Sequence, residues 1–296
     1  MIAQTALARV EKSIGSLKRC AHCRFDEREA LGTEPCKTKA SYFVLGDEQV
    51  TTSYAANASF WIRIVREELD RFQTELTDRA LFDSIGDCKN LVVLDAGCGE
   101  GHLTRGLVAL GACHVHGVDT SEPLLNSARL HPESDPATST FHHADVADLP
   151  LSESSIDLVV SNRLPHGLTN PERRFVEFSR VLRPGGRMLL LSLHPCFYSG
   201  RADNNTSART HFTVTDYFDG RTVQQHLRVA EHTSPMPTVQ RFYSLEQYVG
   251  MLTGAGFVIT GLFEPHPTTN QMSESSWWRE NFIAPLFLLI ECTRPA

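Results

Sequence analysis

The sequence predicts an α/β fold on a doubly wound, mostly parallel sheet, and three observations carry that expectation. Short apolar runs rich in β-branched residues recur between residues 90 and 193, beginning with Leu91-Val92-Val93-Leu94. Such runs suit strands buried on both faces. Segments of helical spacing separate them, and that alternation means βαβ units with right-handed crossovers. A cluster of glycines, Gly97, Gly99 and Gly101, follows the first run directly.

The elements follow in order. Leu7, Val10, Ile14 and Leu17 recur at helical spacing, and the polar stretch 21–40, with Gly32 and Pro35, reads as a loop. A helix over 60–72 would carry Trp61, Ile64, Val65, Leu69 and Phe72 as its apolar stripe, and Thr77 and Asp78 offer an N-cap for another ending near 85–86. After the first strand and its glycines come a helix over 102–110, a strand over 115–118 and a helix from Ser121 to Leu130. A third strand is expected over 138–142 and a fourth over 156–161, followed by a helix over 171–182. Arg183-Pro184-Gly185-Gly186 is a tight turn into a fifth strand over 187–193. Residues 198–238 have few long apolar runs. Ser244 opens a helix that ends at Gly254-Ala255-Gly256, and two more strands are read at 257–263 and 285–292.

Composition bounds the function. At 296 residues with 41% hydrophobic and 21% charged content, the chain can bury a full core. The most apolar windows, 188–193 and 285–290, fall far short of the ~20 residues a bilayer-spanning helix needs. The net charge of −7, with no basic run longer than a pair, argues against nucleic acid as the main partner. Eight scattered cysteines and a charged first twenty residues without an apolar signal core read as reduced thiols in a cytoplasmic protein. Cys20-Ala21-His22-Cys23 with Cys36 hints at zinc, but a fourth thiolate is missing, so no metal site is expected. The Arg173-Arg174 pair reads as a solvated helix face.

The most informative stretch is Asp95-Ala96-Gly97-Cys98-Gly99-Glu100-Gly101. Alternate glycines let the backbone turn sharply and approach a ligand, with amides exposed at the start of the next helix. The spacing is G-x-G-x-G, and His102 stands where a dinucleotide fingerprint needs its third glycine. Asp119 ends the second strand about 20 residues later, where an acid accepts from two ribose hydroxyls. Asp145 follows the third strand and is placed to accept from an adenine amino group. Adenosine without a 2′-phosphate is implied.

These residues, with Gly117-Val118-Asp119-Thr120-Ser121, Ala144-Asp145-Val146 and Val181-Leu182-Arg183-Pro184-Gly185-Gly186, resemble a class I S-adenosylmethionine-dependent methyltransferase of the small-molecule type. The resemblance covers roughly residues 50–195, and more loosely the end of the chain through Ala255-Gly256-Phe257. It implies a seven-stranded, Rossmann-like sheet whose last strand is antiparallel, helices on both faces and an N-terminal helical arm or lid. Residues 1–85 would be that arm and lid, 86–195 the cofactor-binding core, and 196–296 a substrate-pocket insertion with the last two strands of the sheet. It further implies that Gly97, Gly99 and Gly101 shape the methionine and ribose pocket above Asp95. Asp119 and Thr120 would lie at the ribose, Asp145 and Val146 at the adenine, and Asn162 toward the methionine or the substrate. Tyr54 is a lid candidate, with ordinary packing in the arm as the alternative.

Methyl transfer from a sulfonium is an in-line displacement, so much of the protein's task is positioning and desolvation. A nucleophile that must lose a proton wants a base. His166 and His194 follow the fourth and fifth strands, at the end of an open sheet where ligands bind. The alternative for each is a loop histidine with a local hydrogen bond. The expected acceptor is a small, apolar or aromatic metabolite, methylated at oxygen, nitrogen or carbon in specialised metabolism. A minority reading is methylation of an isoprenoid or other alkene through a carbocation, held by aromatic faces such as Tyr217, Phe242, Tyr243, Trp277 and Trp278. An NAD-linked oxidoreductase lacks its third glycine and a Tyr-x-x-x-Lys pair, and a non-catalytic binding module is the remaining competitor. A homodimer is left open.

Overall fold

The computed structural model describes residues 47–164, 170–195, 217–218 and 220–296. The expected helix and loop of the first forty residues, the Cys20–Cys23–Cys36 group and His166 lie outside them.

A seven-stranded sheet organises the described chain. Its strands are β1 (Val92–Ala96), β2 (His114–Asp119), β3 (Ser139–His143), β4 (Ile156–Asn162) and β5 (Leu182–Leu193), with β10 (Val258–Phe263) and β11 (Phe287–Thr293) at the far side. Their order is β10-β11-β5-β4-β1-β2-β3. The first five pair in parallel, while β11 runs antiparallel to both β5 and β10. β10 therefore points the same way as β1–β5, as the expected topology requires.

Alternation along each strand builds two cores. Leu94, Val118, Val159, Met188, Leu190 and Ile290 pack on one face. Their neighbours Val93, Val115, Leu158, Leu189 and Leu289 pack on the other. Successive strand side chains point to opposite faces, so an unbroken apolar run serves both cores at once. The first core is closed by helices Arg173–Val181 and Leu245–Gly254, through Phe175, Phe178, Tyr248 and Leu252. The second is closed by helices Asp78–Ile85 and His102–Ala109, through Leu81, Ile85, Leu103 and Leu107. Ser244 forms a capping box with Gln247, each side chain bonding the other residue's backbone N–H, at 3.2 and 2.8 Å.

Four sequence readings need correction. The helix expected over 60–72 is Ala58–Arg66, preceded by Asp47–Ala56. It stops because Glu68 takes a left-handed conformation (φ +53°), after which Asp70 Oδ1 accepts the Phe72 N–H and starts a new turn. Thr77 is not an N-cap. It is buried and helical, at the end of a π-helical turn, Gln73–Thr77, that runs straight into Asp78–Ile85. Arg174 is not solvated: it is 5% exposed, because it shares the inward stripe of Phe178 and Val181. Its Nε–H donates to the Pro171 carbonyl at 3.1 Å. Finally, the stretch poor in apolar runs contains two small antiparallel pairs. Strand β6 (Arg221–Gln225) pairs with β9 (Thr238–Phe242), and β7 (Arg228–Val229) with β8 (His232–Thr233).

Candidate active site

The carboxyl ends of β1–β5 and β10 share one edge of the sheet, and the chemistry-bearing residues collect there. β1 ends in Asp95-Ala96, and Gly97 then turns the chain with φ +81°. A Cβ at Gly97 would lie 2.5 Å from Leu164 Cδ1, so glycine is required there for space as well as for backbone conformation. At Gly99 (φ +55°) a Cβ would meet nothing within 4 Å, so this part of the loop fronts open space. Gly101 (φ +85°) begins helix His102–Ala109.

Two separate motifs interlock. Asp119 Oδ2 accepts the Gly99 N–H at 2.9 Å, and Oδ1 accepts the Ser121 N–H at 2.8 Å. The acid that ends β2 thus holds the loop that follows β1. Burial pushes the Asp119 carboxyl above its ordinary range, while the amides of Ser121, Gly99 and Thr120 pull it back. Each oxygen still has acceptor capacity for a ligand hydroxyl. Asp145 Oδ1 accepts the Ala147 N–H at 2.8 Å, forming a tight turn after β3, and Val146 packs against the core below it. The Thr120 carbonyl contacts His143 Nε2 at 3.0 Å. At the end of β4, Asn162 Oδ1 is buried with no hydrogen-bond partner among the described residues. A buried orphan acceptor is costly unless a ligand or water completes it.

Asp95 lies beneath the loop, 1% exposed, with Thr104 Oγ1–H donating to Oδ2 at 2.6 Å. Burial raises its pKa to about 7, with the Thr104 bond opposing. The unfolded chain releases that proton near pH 4, so between about pH 4 and 7 the folded state binds more protons than the unfolded one. Stability contributed at this residue is therefore lost as pH rises through that window. Asp95→Asn stays neutral, so its melting temperature should gain on the wild type from pH 5 to pH 8. The gain corresponds to a few kcal/mol, roughly, at the upper end. Parallel stability curves would show that Asp95 titrates normally.

The sequence reading missed Glu100. It is buried inside the loop between Arg66 (Nε–Oε2 2.9 Å) and Arg105 (Nη2–Oε1 2.6 Å). Arg66 also donates to the Ser127 carbonyl and hydroxyl, tying helix Ala58–Arg66 to the loop and to helix Glu122–Arg129. His102 Nε2 meets Asp78 Oδ2 at 2.7 Å, which raises the histidine pKa. A cavity of about 210 Å³ lies beside this pair, lined by Ile64, Asp70, Gln73, Asp78 and His102 among others. Neither Asp119 nor Asp145 lines it, so it is separate from the adenosine positions.

Tyr54 stacks on Trp61 (centroids 6.0 Å apart, planes 7° apart), and its hydroxyl accepts from Gln240 Nε2 on β9 at 3.3 Å. His194 follows β5 and is 2% exposed. Trp277 and Trp278 pack with Phe72, Leu76, Leu286 and Phe287. Cys98 is buried, and desolvation raises its thiol pKa, which fits a packing role. Among the described residues no group of three or more His, Cys, Asp or Glu could hold a metal, and no helix is long and apolar enough to cross a membrane.

The donors and acceptors fit an adenosyl ligand with an amino-acid tail. The open face at Gly99, the loop-anchoring carboxylate of Asp119 and the orphan Asn162 acceptor match a ribose and an ammonium group. Comparison with known proteins agrees. Residues 94–190 match a methyltransferase domain family. A probable S-adenosylmethionine-dependent methyltransferase of Mycolicibacterium smegmatis is 31% identical over 170 residues, 57% of this chain and 58% of that protein. A malonyl-[acyl-carrier protein] O-methyltransferase of Hahella chejuensis is 36% identical over 102 residues, 34% of this chain and 36% of that protein. The chain thus spans less than two thirds of either relative. The solved structure of an S-adenosylmethionine-dependent methyltransferase from Mesorhizobium loti is 26% identical. It superposes with a TM-score of 0.61, over 73% of this chain and 96% of that one.

Proposed function

We propose that this chain, which carries a class I S-adenosylmethionine-dependent methyltransferase domain, transfers a methyl group to a small, apolar or aromatic metabolite in specialised metabolism. The observation that carries the reading is the bond from Gly99 to Asp119, which joins the glycine loop to the ribose-binding acid. When bound, the cofactor supplies an electrophilic methyl on a sulfonium sulfur.

The chain's own residues do the rest. The loop at Gly97, Gly99 and Gly101 offers backbone close to the ligand, and Asp119 accepts from the ribose with Thr120 beside it. Asp145 and Val146 take the adenine, Asn162 Oδ1 accepts from the ammonium end, and Tyr54 covers the site from the N-terminal arm. In this reading residues 1–85 are arm and lid, and 196–296 contribute the acceptor pocket and two strands. His166 and His194 are the candidate bases for an oxygen or nitrogen nucleophile. One relative carries the name of an O-methyltransferase, which supports oxygen as the first accepting atom to test. The described cysteines are free, which supports a cytoplasmic setting.

Thermal melting tests the cofactor. S-adenosylmethionine and S-adenosylhomocysteine should each stabilise the chain by about 2.7 kcal/mol at a hundredfold excess over Kd, with no effect of NAD. Transfer of labelled methyl from S-adenosylmethionine into a metabolite extract tests turnover. Stabilisation by NAD alone would overturn the reading in favour of an oxidoreductase, and binding without transfer would favour a non-catalytic module.

A further inference from the structure

We infer that Glu264 and His194 form a dyad in which the carboxylate orients the histidine as the site's proton acceptor; this rests on the methyl-transfer reading above. The two residues are 70 positions apart, and topology brings them together. β5 and β10 flank β11 and point the same way, so the residue after each strand emerges at the same edge of the sheet. That edge also carries the glycine loop, Asp119 and Asn162. His194 Nε2 lies 3.1 Å from Glu264 Oε1. The His194 backbone is pinned as well, its N–H donating to the Leu286 carbonyl at 2.8 Å.

A carboxylate only accepts hydrogen bonds, so the contact puts the neutral imidazole's proton on Nε2 and leaves the lone pair on Nδ1. Burial lowers the His194 pKa, which keeps the ring neutral near pH 7, while the Glu264 charge restores part of its basicity. A buried neutral base beside a half-exposed carboxylate is suited to take a proton and hand it on to solvent. β5 lies two strands from β1, roughly 10 Å at about 4.8 Å per strand, which leaves room for an acceptor between His194 and the loop. In the step proposed, the acceptor's O–H or N–H proton passes to Nδ1. The electron pair of that bond forms the new bond to the methyl carbon, and the pair of the methyl–sulfur bond stays with sulfur. The imidazolium then returns its proton to water.

The test has two arms, both on the full chain. In the first, histidine NMR follows the His194 ring through a pH titration, its signal assigned by its loss in His194→Gln. Glu264→Gln should lower the titration midpoint by about one pH unit, because the charge favouring imidazolium is gone. In the second, labelled methyl transfer from S-adenosylmethionine into a metabolite extract should fall ten- to a hundredfold in Glu264→Gln and in His194→Gln. The double variant should be no slower than His194→Gln alone, and the Kd for S-adenosylhomocysteine should be unchanged in all three. An unmoved midpoint overturns the dyad even where transfer is normal. A moved midpoint with undiminished transfer shows a structural pair and overturns the catalytic role. A moved midpoint in a chain that never transfers methyl overturns the methyltransferase reading and leaves the pairing intact.

Discussion

Asp119→Ala is expected to bind S-adenosylhomocysteine roughly 10²–10⁴-fold more weakly than the wild type, measured by calorimetry. Two ribose hydrogen bonds to a carboxylate are worth about 1.5–3 kcal/mol each, and every 1.4 kcal/mol or so is tenfold in affinity. A second effect acts in the same direction. The carboxylate accepts the N–H groups of Gly99 and Ser121, so alanine leaves two backbone donors unpaired and loosens the loop at the point of contact. Asp119→Asn separates the contributions. Its amide oxygen can still accept one of the two backbone donors, so its loss should fall between those of alanine and wild type. Far-ultraviolet circular dichroism should show all three folded, because Asp119 lies at the edge of the sheet and not in either core. An unchanged Kd in Asp119→Ala would mean that the nucleoside does not sit at the end of β2.

Much of this edge was legible in the sequence because its signals are local. The strands announce themselves as unbroken apolar runs, since Val93 and Leu94, or Leu189 and Leu190, serve opposite cores from adjacent positions. The capping box at Ser244 and Gln247 is likewise contained within four residues. What escaped notice depends on distant partners. Nothing near Glu100 marks it as buried; its burial follows from Arg66 arriving from another helix. Glu264 stands out only once β10 is known to run beside β11. Asn57, which exchanges hydrogen bonds with the Met236 backbone at 2.9 Å, reads locally as a helix-breaking polar residue. The early end of helix Ala58–Arg66 was hidden for another reason. Val65, Leu69 and Phe72 continue the helical stripe in sequence, but Glu68 reverses the chain and redirects Phe72 into the aromatic cluster. Arg174 shows the same limit, since a pair of arginines looks solvated until the helix is oriented.

That aromatic cluster supports the second large effect, Trp278→Ala, which should cost about 3–5 kcal/mol of stability. Trp278 is 1% exposed and meets Trp277, Phe72 and Phe282 edge-on, at centroid distances of 4.9, 5.7 and 6.3 Å. Its Nε1–H donates to Glu75 Oε2 at 3.0 Å, and Glu75 is held in turn by Arg71, which lowers its pKa. Alanine would leave a cavity among Leu76, Leu286 and Phe287 and remove the indole donor to Glu75. For a chain of this length each kcal/mol moves the melting temperature by about 2 °C, so a fall of roughly 6–10 °C is expected. Trp278→Phe keeps most of the apolar volume and loses the N–H, so it should cost about 1–3 kcal/mol. The cluster also borders the chemistry. Leu286 belongs to it, and its carbonyl accepts the His194 backbone N–H. Trp278→Ala should therefore move the His194 resonances at a temperature where the chain is still folded, whereas a comparable cavity beneath Leu107, in the opposite core, should lower the melting temperature and leave those resonances in place. If both cavities perturb His194 equally, the aromatic cluster is not what positions that histidine.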